Sequence, residues 1–85
     1  MNDFNNKLIK TSSREESIAV LLILFTHGFT WRSGETIPDP DDTYLDNKGN
    51  IFYLRNNLIS YDSLSDAEIG NNDIFIDLHK FLMDN

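Results

Sequence analysis

Acidic side chains crowd one stretch of this 85-residue sequence and raise the question of a metal site. The stretch contains Asp39, Asp41, Asp42 and Asp46. An EF-hand loop binds Ca²⁺ through acids at alternate positions, a central glycine and a closing bidentate glutamate. Here Lys48 occupies a position where a ligand belongs, and no acid follows it before Asp62. We therefore predict no metal site in this stretch.

The residue types that most often act in catalysis are absent or isolated. The sequence has no cysteine, which excludes thiol chemistry, disulfides and cysteine-ligated metals. His27 and His79 are far apart, so we interpret them as helix-end or surface residues. The sequence contains no glycine-rich phosphate loop and no nucleophile elbow. We predict no catalytic, cofactor-binding or metal-binding residues, and a protein that is not an enzyme.

Aromatic residues offer a different chemistry, because a row of them on a sheet can stack nucleobases. The candidates are Phe29, Trp31, Tyr44, Phe52, Tyr53 and Tyr61. The sequence shows no basic groove to accompany them, and core packing is the preferred interpretation for all except Tyr44 and Tyr53. Tyr53 and Arg55 are predicted to point outward, which makes them candidate contacts to a protein or a nucleotide.

Charge is distributed unevenly along the chain, which has a net charge of −7. Up to Arg32 there are four cations and three acids, whereas from Ser33 onward three cations accompany eleven acids. Such a surface repels phosphate backbones, which disfavours nucleic-acid binding, and attracts basic patches on proteins. The alternative is an acidic surface that only maintains solubility. The candidate protein-binding acidic surface comprises Glu35, Asp39, Asp41, Asp42 and Asp46.

The longest apolar run predicts the main helix, at about 14–27. Ser12 and Ser13 are both suitable N-caps, and each has a glutamate three residues later, as in a capping box. Gly28 suits the left-handed position that ends a helix. The eight apolar residues of 18–25 are too few to span a bilayer, and acids precede them, so we expect no membrane segment and a cytoplasmic protein.

The predicted helix is apolar on two faces. At 100° per residue, the stripe expected to face the sheet comprises Ile18, Leu21, Leu22 and Phe25. A second stripe comprises Val20, Ile23 and Leu24. Either loops and the carboxyl-terminal segment cover this second stripe, or it is a surface for a partner or for self-association.

The remaining segments predict a single α+β domain in which this helix packs on a small antiparallel sheet. The expected strands lie at about 7–11, 29–32, 51–55 and 58–61. Because Asn56 and Asn57 suit a two-residue type I′ turn, Leu54 should oppose Ile59, and Phe52 should oppose Tyr61. A fifth strand at 73–76 and a short helix at 77–83 are expected to follow, with one helix from Asn72 as the alternative.

Several short motifs follow one another in a fixed order over most of the chain. The helix opens with Ser-x-x-Glu-Glu, and residues 24–34 read LFTHGFTWRSG. The hairpin ends with LISY at 58–61, and the tail at 73–82 reads DIFIDLHKFL. This order, with its glycine-aromatic-x-Trp-x-Ser-Gly motif, resembles small accessory proteins of tailed bacteriophages. The resemblance implies a virus-encoded protein of the host cytoplasm, of a kind that often antagonises host enzymes or defence systems.

The sequence therefore favours one function and leaves two alternatives. The first is a non-enzymatic interaction protein that binds and inhibits or modulates a host or anti-phage defence protein through the acidic surface. The second is an oligomeric sponge that assembles through the second stripe and encloses a nucleotide signal. The third is a minor structural component of the virion.

Overall fold

Six elements make up the fold, and a computed structural model describes residues 4–38, 45–65, 67 and 69–85. In chain order they are β1 (Lys7–Lys10), α1 (Arg14–Thr26), β2 (Thr30–Trp31), β3 (Asn50–Arg55), β4 (Leu58–Ser63) and α2 (Leu78–Asp84). The predicted α+β class is confirmed, including the short carboxyl-terminal helix.

The sheet has four strands in the order β1-β3-β4-β2. β3 is antiparallel to both β1 and β4, but β2 pairs with β4 in parallel, so the prediction of a purely antiparallel sheet is wrong. The cause is the helix between β1 and β2. It returns the chain to the end of the sheet from which it came, so these two strands run in the same direction, as in a split strand-helix-strand unit. The β3–β4 hairpin then fills the space between them.

The hairpin turn sets the register at the centre of the sheet. Asn56 and Asn57 have φ angles of 54° and 63°, the left-handed values that a type I′ turn requires and that asparagine tolerates. Leu54 pairs with Ile59, and Phe52 pairs with Tyr61, as predicted.

Ser13 caps the amino terminus of α1. Its side chain accepts a hydrogen bond from the Glu16 backbone nitrogen at 3.1 Å. The Glu16 carboxylate turns back one residue further than in a standard capping box, and it accepts from the Ser12 backbone nitrogen at 2.7 Å and the Ser12 hydroxyl at 2.8 Å. These two bonds favour the charged carboxylate and lower the pKa of Glu16.

A Schellman motif ends α1 and redirects the chain toward β2. Gly28, at φ +88°, donates its N–H to the Phe25 carbonyl at 3.2 Å, and Phe29 donates to the Leu24 carbonyl at 3.0 Å. Phe29 is fully buried. The predicted start and end of the helix are therefore confirmed to within one residue.

The tail contributes a single bridge and then a helix. Leu8 donates to the Ile74 carbonyl at 2.9 Å and accepts from the Ile76 nitrogen at 2.8 Å, which forms one parallel bridge between Leu8 and Phe75. Asp77 then caps α2 by accepting from the Lys80 nitrogen at 3.0 Å. The fifth strand is therefore reduced to one bridge, and the alternative of a single helix from Asn72 is wrong.

The predicted orientation of α1 is correct only in part, since Leu21 is buried and Ile18 and Phe25 pack against the core. Its buried residues are Ser17, Val20, Leu21 and Leu24, whereas Leu22 is 51% exposed. α2 packs on α1 and contributes Phe81 to the same buried cluster as Val20 and Leu24. Cover by the carboxyl-terminal segment is therefore the correct alternative for these two residues, and a free partner or self-association stripe of Val20, Ile23 and Leu24 is wrong; Ile23 is half-buried.

Candidate functional site

A buried polar cluster joins β1, α1 and β3. Thr11, Ser17 and Asn50 are each at most 1% exposed. The Thr11 and Ser17 hydroxyl oxygens are 2.6 Å apart, and the Asn50 side-chain nitrogen donates to the Ser17 hydroxyl at 2.9 Å. The Asn50 backbone nitrogen donates to the Thr11 hydroxyl at 2.9 Å.

This cluster is structural, because each of its groups is already engaged. The Ser17 hydroxyl donates to the Ser13 carbonyl at 2.9 Å, and the Asn50 carbonamide oxygen accepts from the Asp46 nitrogen at 3.1 Å. No buried side-chain nitrogen or oxygen in the described part of the chain lacks a hydrogen-bond partner. The Ser17 hydroxyl is buried with no base beside it, so it is not an activated nucleophile.

The two histidines lie on the surface, at the end of α1 and on α2. His27 caps the carboxyl end of α1, and its Nε2 lies 2.8 Å from the Asn85 side-chain oxygen. His79 is exposed on α2. Across residues 4–38, 45–65, 67 and 69–85, no group of three His, Asp or Glu side chains could hold a metal ion.

The candidate acidic surface begins at a fixed turn after β2. Glu35 is exposed, accepts from the Ser33 hydroxyl at 3.1 Å, and its carbonyl accepts from the Trp31 backbone nitrogen at 3.1 Å. The Trp31 indole nitrogen donates to the Ile37 carbonyl at 2.8 Å. Asp46 is half-buried and accepts from the Lys48 nitrogen at 2.8 Å.

The other three members of this surface, Asp39, Asp41 and Asp42, lie outside the described residues. What the structure does show is that Trp31 bonds to the carbonyls of Glu35 and Ile37, which come shortly before these three acids in the sequence.

Tyr53 and Arg55 lie on the sheet face that points away from the core, because their neighbours Phe52 and Leu54 are buried on the inner face. Tyr53 is half-buried, and Arg55 is exposed. A hollow of about 380 Å³ opens on this face. A second hollow of about 160 Å³ adjoins it, and both are lined by Arg32, Tyr53, Arg55 and Ser60.

The sequence reasoning missed Arg32 and Ser60 as parts of this outer face. Ser60 pairs directly with Tyr53. Trp31 pairs with Ile59 in parallel, so the next residue, Arg32, follows alongside Ser60. The signal in the sequence was the alternation of Phe29, Thr30, Trp31 and Arg32, which places Arg32 on the face opposite to Trp31.

In comparisons with known proteins, no family model, no curated protein and no solved structure matches this chain. Within the described residues, no helix is long and apolar enough to cross a membrane.

Proposed function

We propose that this protein is a non-enzymatic binding protein, of the phage type that its motifs resemble, which inhibits or modulates a host or defence protein in the host cytoplasm. The observation that carries the proposal is the acidic surface. The chain has a net charge of −7, and none of its described carboxylates is buried. They belong to Glu15, Glu16, Glu35, Asp46, Asp62, Asp73, Asp77 and Asp84.

The charge defines the partner chemically as a protein surface rich in lysine and arginine. Opposite potentials accelerate encounter and disfavour partners of the same sign. A nucleic-acid polymer is repelled by the same surface. Glu35 and three further acids, Asp39, Asp41 and Asp42, lie close together in sequence after β2, so we place the main contact there.

The hydrogen bonds around Glu35 support this placement. Because the Trp31 backbone and indole both bond to the segment that follows, the first acid of the stretch is presented from a fixed turn. A preorganised contact loses less conformational entropy on binding than a mobile one.

The oligomeric nucleotide sponge loses its predicted assembly surface. Val20 and Leu24 are fully buried within one chain, so they cannot join two subunits. The virion component remains an outcome to be separated by experiment, since it predicts the protein in purified particles.

Affinity capture at several salt concentrations tests the proposal. The immobilised protein is incubated with lysate of a bacterial host, and captured proteins are identified by mass spectrometry. We expect a basic protein that is retained at about 50 mM salt and lost by roughly 300 mM, because salt screens exposed charges. No capture at low salt, or capture that salt does not weaken, would contradict the proposal.

A further inference from the structure

The outer face of the sheet concentrates positive charge on an acidic protein. The larger hollow is lined by Lys7, Arg32 and Arg55, which are three of the seven lysines and arginines of the chain. Asp73 is its one described acid, and that carboxylate already accepts from the Gly70 nitrogen at 2.6 Å. The local balance is therefore opposite in sign to that of the whole molecule.

Both arginines are available to a ligand. Arg32 and Arg55 are exposed, and neither guanidinium bonds to another described residue. A guanidinium presents several N–H donors in a planar fork that matches phosphate oxygens. Two of them on the wall of one hollow make a phosphate group the anion that this surface suits best.

The neighbouring groups add an aromatic surface and further hydrogen-bonding capacity. Tyr53 and Ser60 are paired across β3 and β4 and line both hollows with the arginines. An aromatic ring can stack on any nucleobase, and the Ser60 hydroxyl can donate or accept a hydrogen bond. The volume of about 380 Å³ lies within the range of small-molecule sites, roughly 300–1,000 Å³.

We propose that this hollow, lined by Arg32, Tyr53, Arg55 and Ser60, binds a small phosphorylated ligand with an aromatic base, of the size of a mononucleotide. The two arginines hold the phosphate, and Tyr53 stacks on the base. A polymer is disfavoured because the net charge of −7 repels an extended phosphate backbone. The inference does not depend on the proposed protein partner, which the acidic stretch binds.

Isothermal titration calorimetry at low salt tests the site with AMP, pyrophosphate and adenosine as probes. We expect AMP to bind more tightly than either of the other two, because only AMP carries both a phosphate and a base. Arg32→Gln and Arg55→Gln should each weaken AMP binding at least about tenfold, as expected for loss of a charged hydrogen bond. The matched control, Lys48→Gln, removes the same charge from the exposed turn before β3 and should change the affinity less than twofold.

The aromatic contribution is tested separately. Tyr53→Phe keeps the ring and should retain AMP binding, whereas Tyr53→Leu should weaken AMP but not pyrophosphate. Circular dichroism confirms that each variant is folded. The proposal is overturned if AMP binds no more tightly than adenosine or pyrophosphate, or if Lys48→Gln weakens AMP binding as much as Arg55→Gln does.

Failure of nucleotide binding would leave salt-dependent protein capture unaffected, so the two proposals fail independently.

Discussion

Trp31 lies beside Ile59 in a parallel pair, whereas the other two strand pairs of the described sheet are antiparallel. This one pairing joins the two candidate surfaces. It places Arg32 on the outer face beside Ser60, and the Trp31 backbone nitrogen also donates to the Glu35 carbonyl in the turn that precedes the acidic stretch. The edge strand β2 therefore connects a basic hollow with an acidic segment.

The buried cluster should determine much of the stability. Asn50→Ala removes the side-chain amide that donates to the buried Ser17 hydroxyl and that bonds to the backbone nitrogen and carbonyl of Asp46. It should lower the free energy of unfolding by about 2–3 kcal/mol. Urea denaturation followed by circular dichroism measures the change. Asn47→Ala, at an exposed position, is the matched control and should stay within about 0.5 kcal/mol of the natural protein. Equal effects of the two substitutions would show that the cluster contributes little.

Gly49 comes directly before β3 and lies against the backbone of Thr11 and Ser12, just after the end of β1. Its φ is +113°, and an added Cβ would overlap the Thr11 carbonyl oxygen and lie 2.9 Å from the Ser12 Cα. Gly49→Ala should therefore lower the free energy of unfolding by more than about 2 kcal/mol, which a large fall in the melting temperature would show. Gly34→Ala is the control, since Gly34 has φ +88° but open space around it, and it should cost about 1–2 kcal/mol. A Gly49→Ala variant no less stable than Gly34→Ala would refute this packing.

The orientation of α1 is tested by two leucines on the same helix. Leu24 is fully buried, and Leu22 is 51% exposed. Leu24→Ala should cost about 2–5 kcal/mol through the lost contacts and the cavity that remains. Leu22→Ala should change stability by less than about 0.5 kcal/mol. The opposite order, measured by thermal or urea unfolding, would restore the orientation predicted from periodicity.

The pH dependence of stability should include a contribution from Glu16. Hydrogen bonds from Ser12 lower its pKa in the folded protein, so it stabilises the fold above its unfolded pKa, and this contribution is lost as pH falls through the folded pKa. Glu16→Gln should therefore lower the free energy of unfolding at pH 7 by about 0.5 kcal/mol, measured as a lower melting temperature. The difference should disappear near pH 2. A difference that is the same at both pH values would argue against the carboxylate as the cause.

Local signals predicted the parts of the fold that depend on nearby residues. Ser13, Gly28 and the Asn56–Asn57 turn each fix a helix end or a strand register within a few positions, and these predictions are confirmed. α1 is apolar nearly all round, so periodicity did not identify correctly which of its residues are buried most deeply. Its packing depends on Phe81, which is distant in the chain.

The candidate sites depended on long-range pairing in the same way. Tyr53 and Arg55 were placed outward by alternation within one strand. Arg32 joined them only through the pairing of β2 with β4, and the Thr11–Asn50 bond spans 39 positions. Neither relationship has a signature at short spacing.

The central claim, that the acidic stretch is a specific contact and not only a solubilising charge, is tested most directly by two charge-matched variants. One carries Asp39→Asn, Asp41→Asn and Asp42→Asn, and the other carries Glu15→Gln, Asp62→Asn and Asp84→Asn. Each removes three negative charges. Surface plasmon resonance with the captured partner should show association slowed at least about tenfold by the first set and less than about threefold by the second. Equal slowing by both sets, or none by the first, would contradict the account.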